Sequence, residues 1–291
     1  MCGHHSYAVV FLPDWIAAAS ISSYISTVTS GKGHRVINHA EHAPINVVGK
    51  TNTALILIHG FTSGPASMRE FAAELAAAGH HVHVPLLPGH ATTIADLAST
   101  PYTAWQHAIK AAISAVAPSV ESIWLVGQSM GGTLALDAAC ELDSDPRYAG
   151  TFVINPALSF ANPAAHVAGI LRYLVPVSRP ISNDINRPGQ DELAYSATPT
   201  GGVYELDKLI NATRAKLLRN APILKPVHLF RSTVDHVVPE SSAHFLRRCL
   251  GTHLEQTALT RSFHVATMDY DLPLMTSTIL KKIGNRVGKQ A

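Results

Sequence analysis

The chain has only three cysteines in 291 residues, Cys2, Cys140 and Cys249. They are too few and too widely spaced for a disulfide framework or a zinc knuckle. Charge is scarce as well, at 14%, and the formal balance of +2 comes from scattered Lys and Arg, so no basic tract speaks for a nucleic-acid partner. No apolar run is long enough to span a bilayer, and the first residues lack a basic leader followed by an apolar stretch. Neither a signal peptide nor an integral membrane segment is expected, and the expected location is cytoplasmic. Internal repeats and low-complexity linkers are missing too. The 17 histidines invite thoughts of metal, but the pairs His4-His5 and His80-His81 lack the spacing that puts ligands on one face. No metal is expected from them.

What the chain does have is apolar bulk. A hydrophobic share of 47%, with 18 Pro and 19 Gly, suits a compact protein built on buried sheet. The length allows one large α/β domain with an insertion, or two small domains. Folding should bury roughly three quarters of the unfolded surface, enough to dispense with staples.

The most informative stretch is Glu121 to Cys140. A short apolar run (Ile123, Trp124, Leu125, Val126) leads into Gly127-Gln128-Ser129-Met130-Gly131 and then into an Ala/Leu-rich helix. This is a G-x-S-x-G elbow in the strand–turn–helix setting the motif requires. A serine on so tight a turn is expected to adopt strained, left-handed dihedrals. The flanking backbones then come so close that only glycine fits at 127 and 131. The reward is an exposed Oγ at a helix N-terminus, whose free N–H groups suit a developing oxyanion.

Around the elbow, strands and helices alternate, the mark of a parallel α/β sheet. Strands are expected at Thr53–His59, His81–Val84, Thr151–Ile154, Pro226–Phe230 and His253–Leu259. Helices are expected at Ala66–Ala78 (closed by Gly79), Tyr102–Val116, Ser241–Leu250 and Leu272 to about Ile283. The alternation breaks between Asn155 and Pro222, a proline-rich stretch with helical patches at Ala164–Leu174 and Val203–Leu218. A structureless loop of that length is improbable, which points to an inserted cap. The expected organisation is an N-terminal extension over 1–40, a core formed by 41–154 and 223–291, and a cap over 155–222.

A serine hydroxyl needs a base to take its proton and an acid to orient that base. On this kind of sheet they follow in the order Ser, Asp/Glu, His, on loops after strand ends. Asp235 follows the strand ending at Phe230, although it also suits a turn or cap. His264 follows the last strand. His236 is too close to Asp235 to face it easily, His244 falls mid-helix, and His253 opens a strand. His90 reads as a structural histidine bridging loops, and Asp269 and Asp271 as caps of the final helix. The oxyanion needs two donors: the backbone N–H of Met130, after the nucleophile, and that of Phe61, in the turn after Thr53–His59.

The His59-Gly60-Phe61 loop, the Pro88-Gly89-His90 turn, the elbow, Asp235-His-Val-Val-Pro239, and His264 to Asp271 together resemble the α/β-hydrolase superfamily. They are most similar to bacterial carboxylesterases and monoacylglycerol lipases with a small cap, as is Glu192-Leu-Ala-Tyr195-Ser-Ala-Thr-Pro199. The resemblance covers residue 40 to the C-terminus. It implies a mostly parallel sheet with helices on both faces and an acyl-enzyme route through Ser129, Asp235 and His264 without cofactor or metal. The implied substrate is a small acyl ester. One departure matters: no Asp or Glu occurs between Asn155 and Asn183, where related monoacylglycerol lipases hold the glycerol head with a cap carboxylate. An apolar cap favours short- to medium-chain esters with varied alcohol portions, and Phe160, Ile170, Leu171 and Leu174 are candidates to line it. Glycerol-head preference and a non-catalytic binding module are the competing readings.

Overall fold

The computed structural model describes residues 40–220, 223 and 225–290. The described residues belong to one compact unit, 37–291. Apart from Ala40, the expected N-terminal extension lies outside the described residues.

β1 (Ile45–Val47) and β2 (Thr53–Ile58) lead to α1 (Arg69–Ala77), β3 (His81–Val84), α2 (Ile94–Ser99), α3 (Tyr102–Val116), β4 (Ser122–Gln128), α4 (Met130–Leu142) and β5 (Tyr148–Ile154). Next come α5 (Ala168–Leu171), the two-residue strands β6 (Val177–Ser178) and β7 (Thr198–Pro199), and α6 (Thr200–Asn220). The chain finishes with β8 (Val227–Ser232), α7 (Glu240–Leu250), β9 (Leu254–Leu259) and α8 (Leu272–Gln290).

The main sheet has seven strands in the order β1-β3-β2-β4-β5-β8-β9. All neighbours are parallel except the edge pair β1/β3. Helices cover both faces, so the central strands are buried at nearly every position rather than at alternate ones. Ala54, Ile56, Ile58, Ile123 and Leu125 pack with Trp105 and Leu134 on one face. Leu55, Leu57, Trp124, Val126 and Phe152 pack with Phe71, Leu75 and Met275 on the other. After β2 the chain builds outward to β3 and then returns to the other side of β2 as β4. The loops after β2 and β4 therefore diverge over a crevice at the carboxyl ends of these strands, the usual ligand position in an open α/β sheet.

Several elements differ from the sequence expectation. Pro65–Met68 is a 3₁₀ turn, so α1 starts at Arg69. The edge strand β1 is short, and two of its three residues are exposed, which hides it from an apolar-run criterion. α2 is also short, at six residues, but its start was written in the sequence. Thr93 accepts from the Asp96 N–H and the Asp96 carboxylate accepts from the Thr93 N–H, a reciprocal capping box. β5 pairs directly with β8, so residues 155–222 leave the sheet between two adjacent strands.

Candidate active site

β4 delivers Ser129 at its carboxyl end with φ 54° and ψ −120°. The positive φ agrees with the steric expectation, but ψ lies far from the left-handed helical region and corrects that part of it. With this ψ the Ser129 carbonyl accepts from the N–H groups of Thr133 (3.1 Å) and Ala157 (3.2 Å). The glycines are obligatory for a visible reason. A Cβ at 127 would overlap the Gly131 carbonyl, and one at 131 would overlap the carbonyls of Ile58 and His59.

Half-buried Ser129 donates its Oγ–H to His264 Nε2 at 2.9 Å. That leaves the ring proton on Nδ1, which donates to Asp235 Oδ2 at 3.1 Å. The Asp235 side chain is fully buried and uses both oxygens. Oδ1 accepts from the N–H groups of Val237 (2.9 Å) and Val238 (2.8 Å), so the turn-forming role and the partnership with His264 coexist. Oδ2 also receives Arg231 Nη1 at 2.6 Å. Burial pushes the Asp235 carboxyl up, but the hydrogen bond and charge of His264, with the Val238 and Val237 N–H groups, outweigh it and hold the carboxyl below its ordinary value.

The rival residues sit elsewhere. His236 pairs with Asp184 at 2.7 Å, and His244 and His253 are exposed. Asp269 does not cap the last helix through its side chain, which corrects that expectation. Its carboxylate accepts from the backbone of Asn186 (2.6 Å), Arg187 (3.0 Å) and Phe263 (3.0 Å). Asp271 likewise accepts from the Arg261 N–H at 2.8 Å. Both carboxylates are spent fastening loops.

The turn after β2 lies against Ser129: a Cβ on Gly60 would sit 3.6 Å from Ser129 Cβ. His59 fixes this turn. Its Nε2 accepts from the Leu87 N–H at 3.2 Å, so its Nδ1–H donates to Gly60 O at 2.9 Å. The Gly60 carbonyl and the Phe61 N–H belong to one peptide plane, so holding the first orients the second. Burial, then neighbouring His90, keep His59 well below its ordinary pKa and thus neutral. His90 is itself buried, pushed down to about 4 by burial, and packs edge-on against His59 (5.0 Å between centroids) and Trp105 (5.8 Å). Met130 opens α4, where a helix leaves N–H groups without internal acceptors. Thr62 holds a φ of 66°, a costly conformation for a β-branched residue. It is braced by Thr62 Oγ1 donating to Ile181 O (3.1 Å) and by the Tyr195 N–H donating to Thr62 O (3.1 Å).

Of the candidate lining residues, Phe160 and Leu171 are half-buried, whereas Ile170 and Leu174 are 71% and 74% exposed. Sequence reading missed four residues around the site. Asn155 ends β5 with φ 44° and ties β8 to the His264 carbonyl, accepting from the Ser232 N–H (2.9 Å) and donating to His264 O (2.9 Å). Arg231 fastens Asp235, Asp184 lies beside His264, and Glu192 is buried with its carboxyl pushed up to about 7 by desolvation. The partners of Asn155 and Asp184 are distant in the chain, so no local spacing marks them. Arg231 lies four residues before Asp235 and Glu192 nine after Asn183, but polar pairs at such spacings are not distinctive without the fold. Among the described residues no cluster of three or more His, Cys, Asp or Glu could hold a metal ion, and no helix is long and apolar enough to cross a membrane.

The chain is similar to known proteins in sequence and fold. The profile of the Alpha/beta hydrolase family matches residues 55–276. A thermostable monoacylglycerol lipase of Bacillus sp. (strain H-257) is 35% identical over 254 residues, covering 86% of this chain and 94% of that protein. A carboxylesterase of Bacillus subtilis (strain 168) is 23% identical over 76% of this chain and 88% of its own length. A solved structure from work on LipS and LipT, two metagenome-derived lipolytic enzymes, superposes with a TM-score of 0.79. It is 31% identical and covers 86% of this chain and 100% of its own. The chain belongs to the alpha/beta hydrolase family, and it is a hydrolase.

Proposed function

We propose that the protein is a serine carboxylic-ester hydrolase acting on short- to medium-chain acyl esters through an acyl-enzyme intermediate. The observation that carries this reading is the continuous hydrogen-bonded line from Ser129 Oγ through His264 to Asp235, with Ser129 held at positive φ on the elbow. The relatives named for lipolytic and ester-cleaving activity support the same class.

Ser129 Oγ attacks the acyl carbon as its proton passes to His264 Nε2, and Asp235 stabilises the imidazolium that forms. The N–H groups of Phe61 and Met130 hold the oxyanion of the tetrahedral intermediate. Collapse expels the alcohol, which takes the proton from His264. Water then enters, gives a proton to His264 and attacks the acyl carbon. The second collapse releases the carboxylic acid and returns the proton to Ser129 Oγ. In this reading residues 155–222 form a cap over the crevice, and the acyl chain meets its apolar side chains.

A second reading, preference for monoacylglycerols, is favoured by the 35% identity to a monoacylglycerol lipase. It requires the glycerol head to be held without an acid between 155 and 183. Hydrolysis rates for an acyl-chain series, as monoacylglycerols and as simple alkyl esters, separate the two. Comparable rates on both head groups, abolished by Ser129→Ala, establish the broad esterase. A strong monoacylglycerol preference selects the second reading. Turnover that persists in Ser129→Ala overturns both.

A further inference from the structure

Asp184 lies in the stretch that leaves the sheet, yet its carboxylate spans the two loops that carry Asp235 and His264. Its Oδ2 accepts from the backbone N–H of His236 and from that of His264, each at 3.1 Å. Its Oδ1 accepts from the ring Nδ1–H of His236 at 2.7 Å, and its own carbonyl accepts from the Val265 N–H at 3.0 Å. One side chain thus grips the residue after the acid and the base itself.

The carboxylate is held in place from both sides along the chain. Before it, the Asn183 N–H donates to Glu192 Oε1 at 2.5 Å, and the Glu192 N–H returns the bond to Asn183 Oδ1 at 2.9 Å. After it, the Asn186 and Arg187 N–H groups both end on Asp269, which also holds Phe263, the neighbour of the base. With its side chain only 15% exposed, Asp184 has little room to drift. His264 is therefore clamped at both backbone polar atoms. Its carbonyl is held by Asn155 from the end of β5, and its N–H by Asp184.

We propose that Asp184 is a positioning residue for hydrolysis: it sets the spacing between the acid and base loops so that the imidazole bridges Asp235 and Ser129. This rests on the reading of Ser129, His264 and Asp235 as the hydrolytic triad. Asp184 touches no reacting atom, and its effect passes through the backbone of His264. The backbone bonds matter more than the ion pair, because the His236 ring is 59% exposed and such a pair is screened by water. A displacement of the base by about 1 Å is enough to cost on the order of 100-fold in rate.

The test compares kcat and KM for a simple alkyl ester in the wild type and in Asp184→Ala, Asp184→Asn, His236→Phe and Ser129→Ala, together with labelling rates by a serine-directed fluorophosphonate. Asp184→Ala should lower kcat and the labelling rate about 10- to 100-fold with KM within about threefold. Asp184→Asn keeps an oxygen for the His264 N–H and should recover most of kcat. His236→Phe, which removes only the exposed pair, should stay within about threefold of wild type. If the alanine variant does not fold, Asp184→Ser takes its place, being polar but too short to reach both amides. Wild-type kcat in the folded alanine or serine variant overturns the proposal, as does an asparagine variant no better than alanine. If Ser129→Ala keeps full activity, the failure lies with the triad reading and not with Asp184.

Discussion

Along β2, β4, β5 and β8 nearly every side chain is buried, and the strands pair in registers such as Thr53–Ile58 against Ser122–Gly127, with one register shift between Ile123 and Trp124 where β4 meets β5. Between Pro176 and Pro199 the regular structure is one ladder of two-residue strands, and Asn183 and Leu193 hold positive φ values of 56° and 57°. Yet this second region reaches three of the loops around Ser129, through Ile181 and Tyr195 to Thr62, and through Asp184 to His236 and His264. The two regions are held by different forces. Apolar burial fixes the sheet, and being non-directional it resists separation more than it sets fine orientation. The irregular stretch is held by side-chain-to-backbone hydrogen bonds, each weak in net stability but strict in geometry. Damage to the first should therefore appear in stability, and damage to the second in catalytic orientation and pH response.

The contrast breaks most severely where the sheet and the elbow touch. Gly131→Ala drives a Cβ into the Ile58 and His59 carbonyls, with no flexible side chain to yield. It should cost more than about 4 kcal/mol and remove activity together with fold, read by thermal unfolding and turnover. A soluble, active alanine variant would show that the close approach is dispensable. Next, Phe152→Ala removes a fully buried ring stacked on Trp124 at 5.0 Å. A loss of about 3–5 kcal/mol is expected, with kcat of the remaining folded protein unchanged. A kcat defect at full stability would erase the distinction between the two regions.

Glu192 sharpens it through pH. Burial raises its carboxyl from an ordinary value of 4.5 to about 7, so the folded protein holds this proton more tightly than the unfolded chain. The associated stability is fully present below 4.5 and is lost as pH rises through about 7. Glu192→Gln retains an oxygen for the Asn183 N–H without a charge. Its unfolding temperature should match wild type near pH 4.5 and exceed it at pH 8, with an upper bound of about 3 kcal/mol. A difference that does not change with pH would sink this assignment. The smallest effect is expected at Ile170, 71% exposed, where Ile170→Ser should shift stability by no more than about 0.5 kcal/mol. A loss above about 2 kcal/mol would mean the residue is covered, and that burial organises this region too.

The sequence by itself determined whatever depends on neighbours a few residues away. The strand at Thr53–Ile58, the helix at Tyr102–Val116 and the glycine-framed Ser129 elbow are local patterns of apolar period and steric need. Chain order was enough to nominate Asp235 and His264 as partners for Ser129. It could not measure the 2.9 and 3.1 Å contacts, because Ser129 and His264 are 135 residues apart and meet only once β4 and β9 take their places in the sheet. Short elements whose signals are polar, β1 and α2, escaped an apolar-run criterion although the Thr93/Asp96 cap was legible. Tertiary structure alone decided the use of Asp269 as a loop fastener, the clamp of Asn155 and Asp184 on His264, and the buried Glu192. A hydrogen bond between distant segments leaves no periodicity in the chain: any Asp, Asn or Glu can make one, and only the packed fold selects which does.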